Sequence, residues 1–190
     1  LLAAALQADG FSVVLTREPG GAPGAEVLRS LLLSGATEWS APAETLLHFA
    51  ARAEHVERTI RPALASGAWV VCDRFADSTM AYQGYGQGAD QAMIATLTGL
   101  IGLRPDLTII LDVSDPVALS RRRQRGGAAD RYEREDAAFH ARVKAGFLAI
   151  AAAEPDRCVV VDADQAPEQI LAALLAVVRA RLGTATPGPP

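Results

Sequence analysis

Asp73-Arg74 closes a short apolar run and opens the segment DRFADSTMAYQGYGQG at residues 73–88. A carboxylate at a strand end can hold Mg2+ through water, because this hard cation takes oxygen ligands. The adjacent guanidinium suits bidentate phosphate recognition. Ser78, Thr79, Tyr82 and Gln83 then supply hydroxyl and amide groups within one short stretch, followed by glycines 84, 86 and 88. Alone, Asp-Arg also fits an ion pair at a strand end. The hydroxyls and glycines that follow make it the most specific string in the chain.

Three other groups of residues invite chemistry. Arg17-Glu18-Pro19-Gly20-Gly21 combines a charged pair with glycines that let backbone approach a ligand, although a tight strand-to-helix turn with a surface ion pair has the same composition. His48 and Arg52 are i,i+4 neighbours on a helix and share one face, where imidazole and guanidinium could sandwich and hydrogen-bond a planar base; a histidine at the edge of a core is the plainer reading. Arg121 to Arg125 run into Gly126-Gly127 and then Asp130-Arg131-Tyr132-Glu133, as expected of a flap that closes cations over transferring phosphates. Arg125 and Arg131 are the candidates there. Arg121 to Arg123 read as a solvated face, because three successive residues cannot all face one site. His48, His55 and His140 lack metal-ligand spacing. Neither a Gly-x-Ser-x-Gly elbow nor a Cys–His pair is present.

The elements that must hold these residues alternate in period. Apolar, β-branched runs at 11–16, 69–73, 107–112 and 158–162 suit parallel strands covered on both faces. The last three end in an aspartate and the first runs into Arg17-Glu18, polar residues at the end of a parallel sheet where ligands bind. Helical spacing marks 1–8, 25–33, 43–65, 89–103, 116–125, 135–153 and 168–182, with Pro42 in a first turn and Gly67 at a C-cap. Strands alternating with helices predict an α/β domain with a doubly wound parallel sheet and helices on both faces. One domain spans 1–182, with a flap at about 126–134, and a disordered tail is expected at 183–190. Helix 1–8 has no preceding strand, an unusual start for such a domain.

Composition narrows the classes. The chain has 190 residues, half of them hydrophobic, and a net charge of −4, which argues against a nucleic-acid coat. Of 18 basic residues only Lys144 is lysine. No apolar run is long enough to span a bilayer, so no membrane role is expected. Cys72 and Cys158 lie in apolar runs and read as buried free thiols, suited to a reducing cytoplasm.

Taken together and in order, these residues resemble bacterial thymidylate kinase (dTMP kinase), a P-loop nucleoside monophosphate kinase family. The resemblance rests on TREPGG (16–21), LRSLLL (28–33), FAAR (49–52), the 73–88 segment, RPDLTIILDV (104–113) and DRYEREDAAFH (130–140). It implies transfer of the γ-phosphoryl group of ATP to dTMP, with Mg2+, in a cytoplasmic homodimer packed through helices. It further implies that Arg74 clamps the dTMP phosphate, with Arg29 and Ser78 nearby, and that Arg52, Thr79 and Gln83 read the thymine edge. Tyr82 would pack against deoxyribose, Glu18 would sit beside the phosphates, and Asp73 would hold water on Mg2+. Arg125 and Arg131 would reach the transferring group. His48 stands where the family usually places a phenylalanine that stacks on the base. The family's strand order, 2-3-1-4-5, puts its first strand at the centre, followed by a G-x-x-x-x-G-K-[ST] loop for the nucleotide phosphates. Neither is found in this sequence, so roughly twenty family residues have no counterpart here. The sequence is therefore expected to be part of a longer kinase, and these residues on their own to be inactive and poorly folded; the alternatives are another nucleotide or nucleoside kinase and a non-catalytic nucleotide-binding remnant.

Overall fold

The β-branched runs form parallel strands, with the first starting two residues later and ending one later than expected and the third starting one later. A computed structural model describes residues 1–125 and 131–183, the side chains of Arg122, Arg123 and Arg125 excepted. β1 (Val13–Arg17) pairs with β2 (Trp69–Asp73), in a register running from Val13 opposite Trp69 to Arg17 opposite Asp73. β3 (Thr108–Asp112) pairs with β4 (Cys158–Asp162), from Thr108 opposite Cys158 to Asp112 opposite Asp162. No ladder among the described residues joins the two pairs. Cover on both faces is partial: Leu15 is 66% and Leu111 51% exposed. The registers bring Arg17 beside Asp73 and Asp112 beside Asp162 at the carboxyl ends.

The helices are α1 (Leu2–Ala8), α2 (Pro23–Leu33), α3 (Ala41–His55), α4 (Arg61–Ala65), α5 (Ala76–Thr79), α6 (Gln91–Ile101), α7 (Asp115–Arg125), α8 (Ala137–Ala153) and α9 (Pro167–Leu182). The helix expected at 43–65 is not uniform, because a π turn, Val56–Ile60, joins α3 to α4. Pro62 explains the widening: it has no N–H to donate, and its ring crowds the carbonyl four residues back, at Arg58. Gly67, at φ 78°, ends α4 in the left-handed conformation that glycine tolerates. Side chains cap two other helices. Asp90 Oδ1 accepts from the Ala92 N–H at 2.8 Å, and Asp136 Oδ1 from the Phe139 N–H at 2.7 Å.

The segment after β2 is helical too. α5 runs directly into a second π turn, Met80–Gly86, which lies against α8. The approach is close. A Cβ on Gly86 would come within 2.7 Å of the Phe139 ring, and one on Gly146 would come equally near Tyr85. The Arg142 guanidinium donates twice to the Gly86 carbonyl, at 3.0 and 2.8 Å. Around this contact Ala81, Ile110, Phe139, Val143 and Ile150 form the principal apolar cluster.

A side-chain tie links the two strand pairs. Arg157, just before β4, donates to both Asp77 oxygens at 2.8 Å and to Thr108 Oγ1 at 2.6 Å. The fork thereby fastens α5, after β2, to the start of the β3–β4 pair. No helix among the described residues is long and apolar enough to cross a membrane. Cys72 and Cys158 are free thiols. Flap residues 126–130 and tail residues 184–190 lie outside the described part.

Candidate active site

The carboxyl end of the β1–β2 pair, α3 and the 76–86 segment enclose a cleft of about 290 Å3. That is near the lower end of the roughly 300–1,000 Å3 typical of small-molecule sites. Glu18, Arg29, His48, Arg52, Asp73, Arg74, Ser78, Thr79, Tyr82 and Gln83 all line it. Ten candidates spread over more than sixty sequence positions thus share one cavity.

Glu18 is not the surface ion pair its neighbours suggest. Arg17 turns outward to Glu26 at 3.1 Å, and Glu18 turns inward. Its Oε2 accepts from Arg52 Nε at 2.8 Å, and its Oε1 lies 3.0 Å from His55 Nδ1. His55 Nε2 in turn meets Thr16 Oγ1 at 2.7 Å. A carboxylate offers only lone pairs, so Nδ1 carries the proton in this contact. Both Glu18 oxygens therefore help to hold α3 at the cleft that Glu18 lines.

Arg52 is 2% exposed and is fixed at two points, by Glu18 and by Thr79 Oγ1, which accepts from Nη2 at 3.0 Å. Its guanidinium also lies over the Phe49 and Phe75 rings, at 4.7 and 5.2 Å from their centroids. Nη1 is buried without a hydrogen-bond partner among the described residues. A buried N–H left unpaired costs about 1–3 kcal/mol, and a ligand oxygen in the cleft would recover that.

Arg74 stands at the end of β2 with φ 68°, the one non-glycine residue in the left-handed region among those described. That conformation costs an L-residue roughly 1–2 kcal/mol. Its guanidinium lies 4.9 Å from the Tyr82 ring centroid. Tyr82 itself packs edge-on to Tyr132 and Phe139, with centroids 5.5 and 6.0 Å away. Arg29 also lines the cleft and donates to the Pro19 carbonyl at 2.6 Å. Asp73 is exposed and has no side-chain hydrogen bond among the described residues. No group of three or more His, Cys, Asp or Glu side chains forms a metal cage among the described residues. A lone exposed carboxylate still suits Mg2+, which keeps several waters and takes the rest of its ligands from phosphates.

The far wall holds a network that sequence reasoning missed. Glu44, one helical turn before His48, is fully buried. Its Oε1 accepts from Gln83 Nε2 at 2.9 Å, Gln87 Nε2 at 2.8 Å and the Tyr132 hydroxyl at 2.8 Å. Arg131 pairs with its Oε2. Burial alone would raise the Glu44 pKa, but these donors and the Arg131 charge outweigh it and hold the carboxyl below its ordinary range. Since the Tyr132 hydroxyl gives its proton to Glu44, it accepts from His48 Nε2, 2.9 Å away. Burial first, and then the nearby Arg52 charge, pushes His48 down to about 4, so the ring is neutral near pH 7.

Of the two flap candidates, Arg131 is the one whose side chain is described. Arg131 does not line the cleft. Its charge is spent on Glu44, next to Gln83 and Tyr132, where the sequence reading expected a cation over the phosphates. The Arg125 side chain lies outside the described residues. Three contributors were overlooked: Glu44, His55 and Tyr132. Glu44 was within reach, since 44, 48 and 52 recur every four residues on one face of α3.

A thymidylate kinase family model matches residues 1–174 of the chain. The chain belongs to the thymidylate kinase family. Its relatives include the thymidylate kinase of Gluconobacter oxydans, 54% identical over an alignment of 187 residues that covers 96% of this chain and 87% of the relative. That of Caulobacter vibrioides is 54% identical over 185 residues, 96% of this chain and 88% of the relative. A crystal structure of thymidylate kinase from Ehrlichia chaffeensis superposes with a TM-score of 0.70 at 37% identity, covering 88% of this chain and 80% of that one. The fold is thus that of a P-loop kinase of the thymidylate kinase family.

Proposed function

We propose that the chain transfers the γ-phosphoryl group of ATP to dTMP, giving ADP and dTDP, and that the cleft is its dTMP site. The observation that carries this reading is the buried Nη1 of Arg52, which has no hydrogen-bond partner among the described residues. Thymine O4 is an acceptor that would complete it. Next to it, Gln83 gives its amide nitrogen to Glu44 and Tyr132, leaving its carbonyl to accept from thymine N3–H. Donor beside acceptor matches the acceptor–donor edge of thymine and opposes that of cytosine. Thr79 holds Arg52 in place. The neutral His48 ring offers a stacking face in place of the phenylalanine usual at this position.

At the other end, Arg74 would clamp the dTMP phosphate, with Arg29 and Ser78 alongside. Tyr82, braced by aromatic neighbours, would pack against deoxyribose and disfavour a 2′-hydroxyl. Asp73 would hold Mg2+ through water, and the ion would offset phosphate charge during transfer. An oxygen of the dTMP phosphate attacks the γ-phosphorus while the bond to the β,γ-bridging oxygen of ATP breaks. The attacking oxygen is already ionised, so no side chain need remove a proton. The chain's main task is to position both phosphates and neutralise charge. The same reading gives a cytoplasmic homodimer packed through helices, for which α6 offers the 77% exposed Leu100.

The test is steady-state turnover of the full-length protein with dTMP, dUMP and dCMP in competition, together with Arg74→Ala. The variant is expected to lose at least about 100-fold in kcat/KM for dTMP, as a charge-assisted phosphate contact in a dry site disappears. Equal turnover of dCMP and dTMP would remove the base-reading assignment, and a loss below about threefold would make Arg74 structural.

A further inference from the structure

We infer that Glu44 is a specificity-determining residue: without reaching the nucleotide itself, it fixes which end of the Gln83 amide faces the base. This rests on the dTMP reading of the cleft and extends it to a residue on its outer wall. Gln83 is 1% exposed, and its Nε2 lies 2.9 Å from Glu44 Oε1 and 3.2 Å from the Tyr132 oxygen. Either end of an amide fits the same space, so the partners decide its orientation. Here both partners demand a donor. The Glu44 carboxylate has only lone pairs, and the Tyr132 hydroxyl proton is already committed to Glu44. A flipped Gln83 would set its carbonyl against the carboxylate, a buried contact between two acceptors. The charge on Glu44 is itself secured by Arg131 and by three hydrogen bonds. The Gln83 carbonyl is therefore the group presented to the base, and a base with a hydrogen on N3 is the one accepted.

Replacing the carboxylate by an isosteric amide reverses this logic. In Glu44→Gln the new carbonyl pairs with Arg131, and the new NH2 faces Gln83, which then turns to accept from it. An amide donor now points at the base, mismatched with thymine N3–H and matched to the bare N3 of cytosine. Arg52 still disfavours the exocyclic amine of cytosine, so dCMP does not become the better substrate.

The experiment measures kcat/KM of full-length wild type and Glu44→Gln for dTMP and dCMP. The ratio of dTMP to dCMP is expected to fall roughly tenfold or more, as one buried hydrogen bond is lost for one base and gained for the other. A merely structural role would lower both values and leave the ratio intact, and that result overturns the inference. Wild-type protein that turns over no dTMP would instead sink the functional reading. Should the variant not fold, the wild type alone decides. In 15N-edited NMR the Gln83 side-chain NH2 protons should show NOEs to the Tyr132 ring, and their absence with both signals assigned refutes the orientation.

Discussion

Arg52→Met should separate the holding role of Arg52 from the reading role proposed for it. The substitution removes the 2.8 Å bond to Glu18 and the 3.0 Å bond to Thr79, leaving a buried carboxylate whose remaining partner is His55 at 3.0 Å. Breaking a buried ion pair from one side costs about 3–5 kcal/mol, and the surviving His55 contact places this case near 3 kcal/mol. For a domain of this size about 1 kcal/mol shifts Tm by roughly 2–4 °C, so a fall of about 6–12 °C is expected in a thermal melt. Glu18→Gln added to Arg52→Met removes the stranded charge and should recover much of that loss. Activity should not recover with it. The donor that would meet thymine O4 is absent from both variants, and a hydrogen bond to a charged group is worth about 1.5–3 kcal/mol, or roughly 10–150-fold in kcat/KM for dTMP. Scanning fluorimetry and a coupled assay for ADP release measure the two effects. A single variant melting within about 2 °C of wild type, or a double variant that regains dTMP turnover, would refute the reasoning.

Two further outcomes follow from the same geometry. His48 sits at about 4 in the folded protein against an ordinary 6.5, so between these values the unfolded chain binds a proton that the folded chain does not. Stability is then complete above about pH 6.5 and declines as pH falls toward 4, by up to about 3 kcal/mol at roughly 1.4 kcal/mol per pKa unit. His48→Phe should flatten this part of the urea-unfolding profile, and a variant with the wild-type slope would contradict it. Arg157→Ala leaves Asp77 with the Thr108 hydroxyl as its remaining partner at the tie between the strand pairs and should cost about 3 kcal/mol in urea unfolding, with the dTMP to dCMP ratio unchanged. A shift in that ratio would show that the tie also shapes the base pocket.

The sequence announces the strands because each is a continuous apolar run, and it announces the cleft because charged and hydroxyl residues follow those runs directly. The helix at 76–86 is hidden by glycines 84, 86 and 88, which disrupt periodicity. Gly86 is there for another reason, the close approach of Phe139 and Val143. Glu44 is harder to find. A glutamate in an amphipathic helix looks like solvent-facing surface, and the groups that justify burying it lie 39 and 88 residues away, at Gln83 and Tyr132. Arg131 shows the same limit from the other side. Its position in a Gly-rich charged segment suggested phosphates, and what captured it was a carboxylate that local spacing could not reveal. The partial exposure of Leu15 and Leu111 likewise depends on what covers a sheet face, which an apolar run does not specify.

The left-handed backbone at Arg74 sets durability against usefulness at a single position. Glycine would sit there without strain and asparagine with little, so either exchange should make the protein harder to melt while removing the guanidinium proposed to clamp the dTMP phosphate. A library selected for heat resistance alone would therefore tend to discard the side chain proposed to hold the substrate phosphate.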